Sequence, residues 1–261
     1  MLLADKIVVI SGIGPGLGVK LAVEAARAGA AAVVIAARTA ARLDDAEARV
    51  RALGSRCEVL KVPTDITDRA QCRRLAAAAA ARFGRIDALV NSAFCYGPVQ
   101  PLATDDLQGW REVFDTNVFG SLALTQEILP QMQRQKSGAV LFINSQAIRR
   151  PSRAAAYAAS KGALRVLAAY LAREVGPQGI RVNTLLPGWM WGEPVQANVR
   201  RAAAEAGLSE EQMVEKIAAS IALRRIVTDD EVARAAMLLI SDLASAMTGA
   251  LVDANGGEFL P

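Results

Sequence analysis

Short apolar runs alternate with longer amphipathic stretches along this chain. Lys6–Ser11 (KIVVIS), Ala32–Ala37 (AVVIAA), Cys57–Val62, Ile86–Asn91, Ala139–Ile143, Ile180–Leu186 and Leu251–Asn255 read as strands. Several are apolar nearly throughout, as expected for strands buried on both faces. Between them, Val19–Ala30, Arg42–Leu53, Gln71–Phe83, Asp105–Lys136, Ala154–Gly176 and Thr228–Ser241 carry helical periodicity. Gly84 stops the third of these, Thr228 starts the last, and Pro130 is expected to kink or end the fourth. Pro194–Ala219 is helix-rich with a break at Gly207. Strand–helix alternation without a Gly/Ser linker or a fixed-period repeat predicts one α/β domain over residues 1–261. It is a doubly wound parallel sheet of seven strands with helices on both faces and right-handed crossovers, in the order 3-2-1-4-5-6-7.

The first strand runs into Ser11-Gly12-Ile13-Gly14-Pro15-Gly16-Leu17-Gly18, and a helix follows. Glycines at a strand–turn–helix junction let backbone approach a pyrophosphate, and the helix N-terminus offers free N–H groups and a favourable dipole. The end of the second strand carries Arg38 where an acidic residue would bond the adenosine ribose. Nothing acidic there repels a 2′-phosphate, and a guanidinium pairs well with one. NADP(H) is therefore expected over NAD(H), although Pro15 offers no second cation and Arg38 on adenine or in solvent is the alternative.

Composition narrows the chemistry. The chain has 261 residues, a formal net charge of +4 and no histidine, so proton transfer must fall to Tyr, Lys, Cys or a carboxylate. Cations and carboxylates are interleaved, which speaks against a nucleic-acid footprint. No apolar run is long enough to span a bilayer, and MLLADKIVVISG lacks the layout of a signal peptide, so a cytoplasmic protein is expected. Cys57, Cys72 and Cys95 lack metal-ligand spacing; reduced thiols and no metal site are expected.

Tyr157 and Lys161 lie four residues apart in an Ala-rich helix, on one face. An ammonium beside a phenol favours the phenolate, which would bring Tyr157 down from its ordinary value of about 10 towards useful acid–base work. Ser145 follows the apolar run AVLFI and Asn144, and Asn117 sits in a helical stretch that an Asn disfavours.

Together Asn117, Ser145, Tyr157 and Lys161, with the glycine loop, resemble the catalytic tetrad of the short-chain dehydrogenase/reductase family, along essentially the whole chain and in the family's order. The resemblance implies a Rossmann-type fold with the cofactor at the switch point between the first and fourth strands. It assigns Tyr157 as general acid/base and Ser145 as the group holding the carbonyl oxygen, with Ser152 as rival. Lys161 would tune Tyr157 and bond the nicotinamide ribose. Asn117 would widen its helix and hold a relay water. Cofactor contacts are implied for Ser11, Gly12, Gly16, Leu17, Gly18, Arg38, Asp65, Ile66, Asn91, Ala93, Tyr157, Lys161, Pro187 and Gly188; Asp65 also suits a turn or cap. Phe94 stands where relatives have a glycine, and no Thr follows Pro187-Gly188 before Ala218. Phe94, Trp189, Met190 and Trp191 are expected as substrate walls, and residues 189–220 as a substrate lid. The expected reaction is hydride transfer between NADP(H) and a carbonyl or secondary alcohol, with an apolar cyclic or aryl ketone or alcohol as substrate. A 3-oxoacyl thioester reductase and an NAD-dependent alcohol dehydrogenase are the alternatives. A non-catalytic cofactor-binding scaffold and a nucleotide-fold methyltransferase fit the tetrad less well. The family also implies a homotetramer or homodimer through the Tyr157 helix, with no nucleic-acid or membrane partner.

Overall fold

In the computed structural model, which describes residues 1–152 and 154–259, seven parallel strands form one sheet in the order β3-β2-β1-β4-β5-β6-β7. They are β1 (Ile7–Ser11), β2 (Ala32–Ala37), β3 (Glu58–Pro63), β4 (Ala88–Asn91), β5 (Gly138–Ile143), β6 (Ile180–Pro187) and β7 (Leu251–Ala254). The order is the one expected from the sequence. Successive side chains of a strand face opposite sides, and β1 shows the result. Val8 and Ile10 join one core with α1 (Leu17–Arg27), α2 (Ala40–Arg51) and α9 (Asp229–Ile240). Ile7 and Val9 join the other, with α3 (Arg69–Phe83), α5 (Ser121–Gln135) and α6 (Ala155–Val175).

The register of β1 on β4 pairs Ser11 with Asn91, so both strands end together where the strand order reverses. That opens the crevice in which α/β sheets hold ligands. Helix ends follow local chemistry. Asp68 accepts from the N–H groups of Ala70 and Gln71 at the start of α3, and Gly84, in the left-handed conformation, ends it. Thr228 and Glu231 form a reciprocal capping box on α9.

The long helical region expected over 105–136 is three pieces. α4 (Leu107–Phe114) passes into a π-helical turn, Asp115–Gly120, and then into α5, which keeps Pro130 in its interior. The stretch expected as helix-rich over 194–219 is α7 (Glu193–Ala206) and α8 (Glu210–Ala218), broken at Gly207. Val199, Ala203 and Met213 form a small core of their own there, apart from the two cores on the sheet.

Candidate active site

The cleft at the switch point is built from backbone. Gly12 has a φ of 80°, and a Cβ there would collide with the backbone of Ala93. A Cβ on Gly18 would strike the Gly12 carbonyl, so glycine lets α1 pack onto the loop. Gly16 caps α1 without a side-chain hydrogen bond, and with the Val19 N–H bonded to the Gly14 carbonyl at 3.2 Å the N–H groups of Leu17 and Gly18 are left for an anion. Ser11 Oγ and Asn91 Oδ1, at the paired ends of β1 and β4, are buried without a hydrogen-bond partner among the described residues. Buried polar atoms are usually paired; these two, with the glycine cradle and the open helix N-terminus, fit a dinucleotide.

The cleft has a volume of ≈ 270 Å³, and Gly12, Arg38, Arg42, Asp65, Ile66 and Phe94 are among its walls. Asp65 Oδ1 accepts from the backbone N–H and the hydroxyl of Thr67, so the carboxylate shapes its own turn while lining the cleft. Arg42 was not singled out from the sequence. It sits in the first turn of α2, where a cation opposes the helix dipole. That misplacement is the signal that could have marked it. Phe94 is 60 % exposed and is not among the non-glycine residues with positive φ. The position therefore needs no glycine, and the ring is free to project over the site.

At the other end of the crevice, β5 delivers Asn144 and Ser145 and α6 delivers Tyr157 and Lys161. Asn144 Nδ2 donates to the Lys161 carbonyl at 2.9 Å and ties strand to helix. Ser145 Oγ accepts from the Ala147 N–H at 3.2 Å, and Ser145 lies near enough to Tyr157 to pull its titration down. Ser152, the rival serine, is exposed and accepts from the Ala154 N–H. Lys161 Nζ lies 5.5 Å from the centre of the Tyr157 ring and donates to the Ile143 carbonyl at 2.8 Å.

Burial controls both titrations. It pushes Tyr157 up to about 12, with Ser145 pulling down and the nearby Tyr96 phenol pushing further up. It pulls Lys161 down to about 7. This corrects the expectation that Lys161 lowers the Tyr157 phenol. Desolvation of each group outweighs their interaction here, and Ser145 is the one group lowering Tyr157.

Asn117 is fully buried in the π-helical turn. Its Oδ1 accepts from the Cys95 N–H at 2.7 Å, and its Nδ2 donates to the Cys95 carbonyl and the Ser160 hydroxyl, both at 2.9 Å. The side chain thus pins the loop after β4 to α6. That loop brings an aromatic pair onto Tyr157: Tyr96 at 4.8 Å between ring centres and Phe94, edge-on, at 6.3 Å. Tyr96 was missed in the sequence, where nothing local distinguishes it from a surface aromatic.

The three residues expected as walls after Gly188 separate. Met190 packs on the sheet core and bridges Val227. Trp191 packs on the small core of α7 and α8. Trp189 joins neither cluster and is partly exposed.

Comparison with known proteins agrees with this geometry. Residues 12–258 match the family model described as enoyl-(acyl carrier protein) reductase. A short-chain dehydrogenase/reductase of Aspergillus oryzae is 31% identical over 257 residues, covering 98% of this chain and 95% of that protein. The 7alpha-hydroxysteroid dehydrogenase of Escherichia coli K12 is 29% identical, covering 98% and 94%. The crystal structure of levodione reductase superposes with a TM-score of 0.90 at 29% identity, covering 98% of both chains. The chain belongs to the short-chain dehydrogenase/reductase family. It is an oxidoreductase of the dehydrogenase/reductase class, acting on CH–OH groups with a nicotinamide cofactor.

Proposed function

We propose that this protein reduces an apolar cyclic or aryl ketone, and oxidises the corresponding secondary alcohol, with NADP(H). The observation that carries the reading is Tyr157 with Ser145 beside it and buried Lys161 5.5 Å from its ring centre, Lys161 being fixed to the Ile143 carbonyl.

Ser11, Gly12, Gly16, Leu17, Gly18, Asp65, Ile66, Asn91, Ala93, Pro187 and Gly188 would hold the cofactor. When bound, its nicotinamide supplies or accepts the hydride. Tyr157 gives its proton to the carbonyl oxygen in reduction and takes one from the alcohol in oxidation. Ser145, whose Oγ is held by the Ala147 N–H, would donate its O–H to that oxygen and steady the charge growing on it. Lys161, its titration drawn down by burial, would return a proton to Tyr157 and would bond the nicotinamide ribose. The side chain of Asn117 is committed to Cys95 and Ser160, so its support for the site is to hold the loop after β4 against α6 beside Tyr157. The i,i+4 spacing of Tyr157 and Lys161 supports carbonyl rather than carbon–carbon double-bond chemistry. Phe94, Tyr96 and Trp189 supply apolar walls for a flat substrate, and residues 189–220 form its lid.

Cofactor preference rests on two guanidiniums. Arg38 and Arg42 line the same end of the cleft and form no ion pair among the described residues. Two unpaired cations favour a 2′-phosphate. Fluorescence titration should show NADPH binding tighter than NADH. Arg38→Ser should cost NADPH about tenfold or more in affinity and leave NADH nearly unchanged. Equal loss for both would remove Arg38 as the phosphate reader.

Tyr157→Phe keeps the ring and removes the proton. Turnover with a cyclic or aryl ketone should fall about 10²–10⁴-fold, with NADPH affinity retained. Wild-type turnover in that variant would defeat the assignment of Tyr157. A wild-type enzyme that turns over only 3-oxoacyl thioesters would replace the ketone reading.

The exposed side chains of Phe119 in the π-helical turn, and of Val166 and Tyr170 on α6, form an apolar surface suited to a second copy of the chain. A homodimer or homotetramer is the assembly we propose.

A further inference from the structure

Ser145 must present its hydroxyl at a fixed place, yet the backbone that follows it is a single 3₁₀ turn, Gln146–Ile148. So short a turn has little stability of its own. Two side chains of this turn region reach across the end of β6 to the C-terminal segment. Gln146 Nε2 donates to Glu258 Oε2 at 2.6 Å, and Arg149 donates to Asp253 Oδ2 at 2.6 Å. Arg150 stands 3.7 Å from the other Glu258 oxygen, and the Glu258 side chain is only 2% exposed. The crossing depends on Gly188: a Cβ there would lie 2.5 Å from Gln146 Oε1 and 2.7 Å from Asn255 Cβ.

The C-terminal segment is itself held. Asn255 Oδ1 accepts from the Gly257 N–H at 2.8 Å. The N–H groups of Leu223 and Ala222 donate to the carbonyls of Gly256 and Gly257 at 3.0 and 3.4 Å. Those two residues lie just beyond the end of α8. Three of the five buried side-chain atoms without a hydrogen-bond partner among the described residues are Gln146 Oε1, Arg149 Nε and Glu258 Oε1. A cluster that leaves these atoms unpaired is a costly way to fill space. Its return is direction, because buried charge-assisted bonds accept few geometries.

We infer that residues 253–258 act as a tether that positions the Ser145 hydroxyl, with Glu258 and Gln146 as positioning residues. The tether also joins the serine turn to the exit of the α7–α8 hairpin, so hairpin position and serine geometry are coupled through it. The kinetic part of this inference rests on the ketone-reduction reading; the structural part does not.

Two measurements separate them. In Glu258→Ala, hydrogen exchange at the amides of Ala147, Ile148 and Arg149 should quicken about tenfold or more, with β5 and β6 unchanged. Unchanged exchange would overturn the tether. With a ketone that the wild type reduces, Glu258→Ala should lower kcat about tenfold or more while NADPH affinity stays within about twofold. Glu258→Gln keeps an oxygen for Gln146 and should restore most of kcat. Unchanged kcat, or loss shared equally with cofactor affinity, would overturn the positioning role. If Glu258→Ala fails to fold, Gln146→Met removes the amide at similar volume and carries the same expectations. A wild type that reduces no ketone would defeat the reaction reading and leave hydrogen exchange to decide the tether.

Discussion

Lys161 has the Ile143 carbonyl as its hydrogen-bond acceptor and no carboxylate beside it, so burial pulls its titration down to about 7. In an unfolded chain a lysine titrates near ~10.4. Between these values the unfolded chain holds more protons than the folded one, so this residue makes stability rise with pH through that window. Below the window the folded protein carries the full cost, on the order of 4–5 kcal/mol. Tyr157, raised to about 12, acts only above the window, where its contribution is lost as pH rises. Lys161→Met should therefore melt higher than wild type near neutral pH, with the gap closing towards about pH 10. Melting temperatures that run parallel across that range would refute this. The Tyr–Lys spacing was legible because four residues fix a helical face whatever surrounds it. The direction of the Tyr157 shift was not, because desolvation depends on residues distant in the chain. Tyr96 and Glu258 escaped for the same reason: each has neighbours that only the fold supplies.

At the level of elements, the strands were the most legible part. Parallel strands buried on both faces are written as apolar runs, and the sheet order followed from their alternation with helices. Helix ends with a chemical marker, such as Gly84 and Thr228, also fell where expected. The helical stretch around Asn117 did not resolve into α4, a π-helical turn and α5, because periodicity does not register one extra residue in a turn. Asn117 itself was the clue, an amide in a helix interior with nothing local to bond. Its partners, Cys95 and Ser160, lie 22 positions upstream and 43 downstream. The loop after Gly188 shows the opposite failure. Its two tryptophans and one methionine read alike as substrate walls, yet Met190 and Trp191 serve two separate cores. Side-chain size announced burial, and only the backbone path decided against what.

On the scale of the molecule, the outer surface carries its own prediction. Leu107 and Phe119, with Trp110 and Phe114, line a shallow hollow of ≈ 300 Å³. On α6, Tyr170 is 76% exposed and Val166 55%. Light scattering should report a mass above that of one chain, and Tyr170→Asp should shift it towards the monomer at equal concentration. A monomeric wild type would remove the proposed assembly. No helix among the described residues is long and apolar enough to cross a membrane. The α7–α8 hairpin, finally, bears on how such a protein changes over time. Because Val199, Ala203 and Met213 pack with one another and with Trp191, the hairpin keeps its internal shape without help from the sheet. Mutations of its outward side chains can therefore change its surface without unpacking it, so long as its exit stays fixed to Gly256 and Gly257. Sequence change can then collect on that surface while the sheet and its two cores keep their packing.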